Sequence, residues 1–253
     1  MKGRYSADEL AQLAGAVRAR RGWDFSRMSV DRQPVPWSYP DVVRRYLTVR
    51  SRVLDVGTGG GEQLMALASS FRAAIGVDID PVMVAAAADH ASGTSNLRFQ
   101  VSTEQLESVH DSFDVVLARH APVGLKAVWA HLANGGYLIT QQVGERNMAN
   151  VRDALGQRAA APPLSRDAAA VAGLVVIAFA EYDVEYVVHD VESLVFWLSA
   201  LDLRHADLPG GEAVASVEVF NEILRGNIDH RGFVTNEHRY LMVAQRINPK
   251  LAK

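Results

Sequence analysis

Val53-Leu54-Asp55-Val56-Gly57-Thr58-Gly59-Gly60-Gly61-Glu62, followed by Gly76-Val77-Asp78-Ile79-Asp80-Pro81, decides how this chain folds. Val53 to Val56 reads as a buried parallel strand running into a glycine loop, with a helix expected through Leu64, Met65 and Leu67. Gly57, Gly59 and Gly60 lack a Cβ, so the loop can turn tightly and let a ligand approach its backbone. The second apolar run, Ala74 to Val77, ends in Asp78, where a carboxylate at a strand tip can accept both hydroxyls of a ribose. Strand, glycine turn, helix and acid-tipped strand open a doubly wound sheet that binds a nucleoside-containing cofactor.

The residues beside the glycines indicate which cofactor. A dinucleotide fingerprint wants Gly-x-Gly-x-x-Gly, and the sixth position counted from Gly57 is Glu62. Asp55 would repel a pyrophosphate but suits a ligand whose far end is cationic. S-adenosylmethionine (SAM) carries an ammonium and a sulfonium there and no phosphate. Asp-x-Gly-x-Gly followed by Gly-x-Asp resembles the first two motifs of class I SAM-dependent methyltransferases, and the similarity extends over most of residues 50 to 145. The resemblance implies a Rossmann-like α/β fold: a doubly wound, mostly parallel seven-stranded sheet whose last strand is antiparallel. It implies cofactor contacts at Asp55, Gly57, Thr58, Gly59, Gly61, Asp78 and Ile79.

Later segments continue the pattern. Asn96 to Val101 reads as the third strand, and its end carries Ser102-Thr103-Glu104 where the family often has an Asp-Ala-Glu-like run receiving the adenine. Ser102 stands at the aspartate position, so its hydroxyl or backbone amides would serve. Phe113 to Ala118 is the fourth strand, ending at Arg119-His120-Ala121-Pro122. Strand ends at the carboxyl edge line the ligand crevice, which makes Arg119 and His120 candidate cofactor contacts. His120 is also the candidate catalytic residue, as a weak base or a hydrogen-bond donor. Ala118-Arg119-His120-Ala121 lacks the Asp/Asn-Pro-Pro-Tyr/Phe run of enzymes that methylate nucleobase amino groups. Leu125 to Leu132 reads as a helix, Asn134-Gly135-Gly136 as a turn and Tyr137 to Thr140 as the fifth strand. That strand exits through polar residues, among which Gln141, Gln142 and Arg146 are candidate substrate contacts.

The flanks are less regular. Ser6 and Glu9 form a capping box for a helix over residues 6 to 21 that closes on Arg18, Arg20 and Arg21. Residues 22 to 40 are irregular and proline-punctuated, with Trp37 and Tyr39 as candidates to cover the cofactor or to anchor the segment. Residues 1–48 thus read as an N-terminal helical and aromatic lid and 49–253 as the SAM-binding domain. A helical stretch from Asn150 breaks at Ala161-Pro162-Pro163. Leu174 to His189 continues as a strand, and Asp190 caps a helix carrying Trp197, a candidate wall of the acceptor pocket. Residues 202–232 read as a substrate-recognition insertion before the last strand, His238 to Ile247.

Composition bounds the function. The 253 residues are 49% hydrophobic and 22% charged, ordinary for a globular protein. No apolar run approaches membrane-spanning length and the N-terminus has no signal-peptide core, so a cytoplasmic protein without membrane partners is expected. Zero cysteines exclude disulfides, thiolate metal sites and the cysteine nucleophile of cytosine carbon-5 methylation. Eight histidines lie scattered without metal-ligand spacing. A formal net charge of −3 and a pI near 6.2 give no global attraction to nucleic acid. The reading that follows is methyl transfer from SAM to a nitrogen or oxygen of a small-molecule acceptor. RNA methylation through the arginines of residues 18 to 27 and 44 to 52 is one alternative. An NAD-dependent oxidoreductase is the other, opposed by Glu62 and Asp55.

Overall fold

The computed structural model describes residues 1–17, 25–156, 164–200 and 216–247. In chain order these form α1 (Ala7–Ala16), β1 (Val30–Arg32), α2 (Tyr39–Arg44), β2 (Arg52–Val56), α3 (Glu62–Met65), β3 (Ala73–Asp78), α4 (Pro81–His90), β4 (Leu97–Val101) and β5 (Phe113–Arg119). There follow α5 (Leu125–His131), β6 (Leu132–Val143), α6 (Ala149–Ala154), α7 (Arg166–Val171), β7 (Leu174–Val188), α8 (Val191–Ala200), α9 (Val217–Leu224) and β8 (Phe233–Arg246). The strands form one sheet in the order β1-β7-β8-β6-β5-β2-β3-β4. The fold is the expected Rossmann-like α/β arrangement. Its eighth strand is the three-residue β1, too short to carry a period in the sequence.

The chain divides into two compact units, with boundaries inside β7 after Tyr182 and inside β8 after His238. One unit comprises residues 35–144, 161–182 and 239–253. Here β2 pairs in parallel with β3 on one side and β5 on the other, β4 follows β3, and β6 follows β5. The chain therefore reverses its winding direction at β2, and ligands bind at such switch points beyond the carboxyl ends of the strands. Strand β8 pairs antiparallel with β6 over Tyr137↔Gln245 to Val143↔Arg239. Leu54, Val56, Val116 and Leu138 are fully or almost fully buried in a cluster with Val128 and Leu132 of the α5 side. Val53, Val115 and Ile139 are buried in a second cluster with Tyr39, Val43 and Leu64. Alternate residues of each central strand thus belong to different clusters, the pattern of strands covered on two faces.

The other unit comprises residues 1–34, 145–160 and 183–238. Ser6 and Glu9 make the expected capping box of α1. Leu10 joins Leu194, Phe196 and Leu198 of α8 and Phe220 and Ile223 of α9 in one buried cluster. Tyr5 meets Phe220 edge-on at 5.7 Å, and the Asn221 side chain bonds both the amide and the carbonyl of Tyr5 at 2.8 Å. Residues 1–34, expected to act with 35–48 as one leading segment, thus cluster with α6, α8 and α9, whereas 35–48 cluster with the sheet-bearing unit.

Elsewhere the elements follow the sequence with local differences. Asp80 caps α4 with Pro81 behind it, as the order Asp-Pro implies. The helix after the glycine loop is one turn, ending at Met65, with a 3-10 turn over Ala68–Ser70. The strand expected from Tyr137 begins at Leu132 and takes in the Gly135-Gly136 turn. Arg18 to Arg21, the break at Ala161-Pro162-Pro163 and residues 202–215 of the expected insertion lie outside the described residues. Residues 217–224 of that insertion form α9. Among the described residues no helix is long and apolar enough to cross a membrane.

Candidate active site

The glycine loop is tied to the strands on either side of it. Gly57 and Thr58 both donate their amides to the Val77 carbonyl, at 2.8 and 2.9 Å, and Gly61 donates to Thr58 O at 3.0 Å. Gly59 donates to Asp78 Oδ2 at 2.9 Å, while Asp80 donates to Asp78 Oδ1 at 3.0 Å. Four of the five loop amides are thereby used within the protein. Gly57 (φ +71°) makes room for a neighbour rather than a ligand, because a Cβ there would lie 2.2 Å from Ala121 Cβ. Gly59 (φ +55°) differs: a Cβ there would meet nothing within 4 Å, so its surface is open.

Two carboxylates stand at the ends of β2 and β3. Asp55 is buried and accepts from the Thr58 hydroxyl at 2.8 Å. Burial pushes its carboxyl up to about 7; the Thr58 hydrogen bond pulls it back, the Asp78 charge pushes it further and the Arg119 guanidinium opposes. Asp78 is half-buried. Each of its oxygens has one backbone donor, which leaves lone pairs for further donors.

Beyond β4, Ser102 is buried and its Oγ has no hydrogen-bond partner, although its amide donates to Asp78 O at 3.0 Å. A buried hydroxyl without a partner costs about 1–3 kcal/mol, so its presence asks for an explanation. Ile79 and Val101, at the ends of the two strands leading here, are exposed apolar residues. Thr103 Oγ1 bonds Glu107 at 2.7 Å, and the Glu104 carbonyl accepts from Gly124 at 3.0 Å, so both hold the turn after β4.

The end of β5 forms the other side. Arg119 is the last strand residue, and His120 sits at φ +56°, a left-handed conformation uncommon outside glycine. The His120 amide donates to Gln141 O at 2.8 Å, and its Nε2 lies 3.0 Å from Gln141 Nε2. Gln141 Oε1 in turn accepts from the Trp37 indole N–H at 2.7 Å. Burial and then the Arg239 and Arg119 guanidiniums lower His120 to about 3; solvent on its open face softens the shift, and the imidazole is neutral at pH 7. Gln142 donates to Ala121 O at 2.9 Å and to Thr140 Oγ1 at 2.8 Å, pinning the same turn from the next residue of β6.

The aromatic candidates fall on different tasks. Tyr39 is buried, and its hydroxyl donates to Ile139 O at 3.0 Å. Trp37 is half-buried and meets Tyr182 edge-on at 5.8 Å. Arg146 and Trp197 belong to the other unit. There Arg146 Nε bonds Asp183 at 2.9 Å, and Trp197 stacks on Tyr186 at 5.0 Å. Sequence reasoning missed Arg239, because the antiparallel register that brings the last strand beside β6 is set by contacts about a hundred residues apart. Among the described residues no cluster of side chains could hold a metal ion.

Comparison with known proteins agrees with this architecture. Residues 53–136 match a methyltransferase domain family. An uncharacterized methyltransferase of Bacillus subtilis, YcgJ, is 41% identical over 73 residues, which cover 28% of this chain and 29% of that protein. The chain thus matches under a third of that relative's length in sequence. The crystal structure of YcgJ superposes with a TM-score of 0.55 at 16% identity, covering 83% of this chain and 98% of that one. A functionally unknown protein from Deinococcus radiodurans R1 gives 0.64 at 16% identity, over 95% of this chain and 98% of its own. The cyclase SpnF gives 0.56 at 19% identity, over 82% and 80%. The acid-tipped strands and the glycine loop lie within the matched segment, so residues 53–136 are similar to a methyltransferase domain, and the fold is the one these solved structures share.

Proposed function

We propose that the protein transfers the sulfonium methyl of SAM to a nitrogen or oxygen of a small-molecule acceptor. The observation that carries this reading is the donor and acceptor set around the glycine loop: two carboxylates, an open Gly59 and a buried, unpartnered Ser102 hydroxyl, with most loop amides already bonded. A pyrophosphate needs free N–H groups and no neighbouring carboxylate, and this loop offers the reverse. An adenosyl ligand with a cationic end fits it. Asp78 would accept the ribose hydroxyls, Asp55 would face the ammonium region, and Ile79 and Val101 would flank the adenine with Ser102 Oγ as its polar partner.

Bound there, SAM supplies a methyl group on a leaving group that is already activated, so positioning supplies much of the acceleration, on the order of 7–11 kcal/mol in favourable intramolecular cases. His120, held at the end of β5 by Gln141, would orient acceptor or cofactor as a hydrogen-bond donor. Arg119 and Arg239 add positive charge around it. Gln142 keeps the 120–121 turn in place, and Trp37 walls the same end of the sheet. A small-molecule acceptor is preferred to RNA because the net charge of −3 provides no electrostatic attraction to a phosphate backbone.

SpnF, named for cyclisation, shares the fold, so binding and transfer need separate tests. Calorimetry with SAM and with NAD tests the cofactor: micromolar affinity for SAM and none for NAD is expected, and retention of NAD alone would overturn the reading. Transfer of labelled methyl to a panel of small amines, phenols and carboxylic acids, with total RNA as a parallel arm, tests the acceptor class. Label found only in RNA would replace the small-molecule assignment.

A further inference from the structure

The hydrogen-bond chain Trp37–Gln141–His120 fixes the direction of every donor in it. An indole N–H donates and cannot accept, so the Gln141 atom 2.7 Å from Trp37 Nε1 has to be the amide oxygen. The amide nitrogen then faces His120 Nε2 at 3.0 Å and donates to it. Reversing the Gln141 amide would set two donors against each other at Trp37. A ring nitrogen that accepts carries no proton, so a neutral His120 has its proton on Nδ1. Gln141 is buried, and its backbone carbonyl also accepts the His120 amide at 2.8 Å, so ring and backbone are held from one residue. The left-handed backbone at His120 is the kind of outlier that persists where surrounding contacts over-determine it.

We propose that Trp37 and Gln141 are positioning residues that lock His120 as a neutral Nδ1–H hydrogen-bond donor, so that the methyl acceptor must arrive with its lone pair already free. No hydrogen bond to Nδ1 is formed among the described residues and His120 is exposed, so that N–H is open to solvent or to a bound molecule. Nε2, the nitrogen that could take a proton from an acceptor, is occupied by Gln141. The inference rests on the proposed placement of His120 beside the transferred methyl group. It goes further by excluding base catalysis at that residue and by giving Trp37 a task besides packing.

Histidine tautomers are read directly by long-range proton–nitrogen correlation spectra of labelled protein, with the His120 signals assigned by their loss in His120→Asn. The wild type is expected to show a protonated Nδ1 and an unprotonated Nε2 from pH 6 to 8. Trp37→Phe keeps the ring and frees Gln141 to turn over, and Gln141→Glu places only acceptor oxygens opposite Nε2. Each should shift the tautomer ratio toward Nε2–H by about tenfold, the factor set by one hydrogen bond. Gln141→Glu should also bring protonation of His120 into the range pH 6 to 8. An Nε2–H tautomer in the wild type, or an unchanged ratio in both variants with well-dispersed amide spectra, would overturn the proposal. SAM affinity measured on the same samples separates the two readings. Absent affinity with the expected tautomer sinks the cofactor assignment alone, and normal affinity with the wrong tautomer sinks the relay alone.

Discussion

Asp78 Oδ2 accepts the Gly59 amide at 2.9 Å, so the carboxylate that ends β3 also holds the glycine loop that follows β2. One residue therefore shapes the loop and, under the proposed function, would also accept the ribose. Replacing Asp78 with Ala removes a charge-assisted bond worth about 1.5–3 kcal/mol and the ribose acceptor with it. SAM affinity measured by calorimetry is expected to fall roughly tenfold to a hundredfold or more. Unchanged affinity would show that the ribose lies elsewhere.

Asp55 gives the protein a defined pH dependence. Its folded carboxyl is raised to about 7 by burial, whereas an unfolded aspartate titrates near about 3.9. Between roughly pH 4 and 7 the folded state therefore binds more protons than the unfolded one, and stability falls as pH rises through that window. The penalty above pH 7 is on the order of 4 kcal/mol. Asp55→Asn should match the wild type near pH 4 and exceed it at pH 8 in urea unfolding; an advantage that does not grow with pH contradicts the raised carboxyl. Binding of a cationic ligand should also expel the proton, seen near pH 6.5 as a calorimetric enthalpy that varies with the buffer.

Gly57 and Gly59 differ in what surrounds them: Gly57 packs against Ala121, whereas Gly59 faces open space where the proposed function places the ligand. Both have positive φ, which costs an alanine about 1–2 kcal/mol. At Gly57 the new Cβ would also collide with Ala121, bringing the expected loss to roughly 2–5 kcal/mol in thermal or urea unfolding. At Gly59 the methyl points into open space, so Gly59→Ala should lose no more than the backbone term while weakening SAM binding strongly. Equal stability losses in the two variants, or intact binding in Gly59→Ala, would contradict the assignment of Gly59 as the open wall of the cradle.

The sheet was legible because its signals are local. Asp55 to Gly61 and Gly76 to Pro81 each encode a strand end and a turn within about ten residues, and the buried parallel strand β2 shows as the apolar residues Val53, Leu54 and Val56, interrupted by Asp55. The division into two units was not, since residues 1–34, 145–160 and 183–238 join through contacts far apart in sequence, among them the buried cluster of Leu10, Val151, Leu194 and Phe220 and the pairing of β1 with β7. The proposed site divides in the same way. Asp55, Asp78 and Ser102 follow from strand ends, but the bond from Trp37 to Gln141 spans 104 residues and leaves no periodic trace. Trp37 and Tyr39 look alike as aromatic candidates in a loop, yet Tyr39 spends its hydroxyl on the sheet backbone and Trp37 spends its indole on the residue that orients His120.

Ser102 offers the sharpest test of what the cradle is for. Its hydroxyl is buried without a partner, so in the ligand-free protein it is a liability rather than a source of stability. Ser102→Ala removes that unmet demand and should leave the ligand-free protein as stable as the wild type or more stable, by up to about 1–3 kcal/mol. If the hydroxyl is the polar partner of an adenine, the same variant should bind SAM more weakly by about threefold to tenfold, the worth of one neutral hydrogen bond. The two effects have opposite signs, which a general loosening of the fold cannot produce. Thermal unfolding with and without SAM reads both at once: a raised midpoint for the free variant and a smaller ligand-induced shift are expected. A lowered free midpoint would mean that the hydroxyl serves the fold, and an undiminished ligand shift would move the adenine away from Ser102.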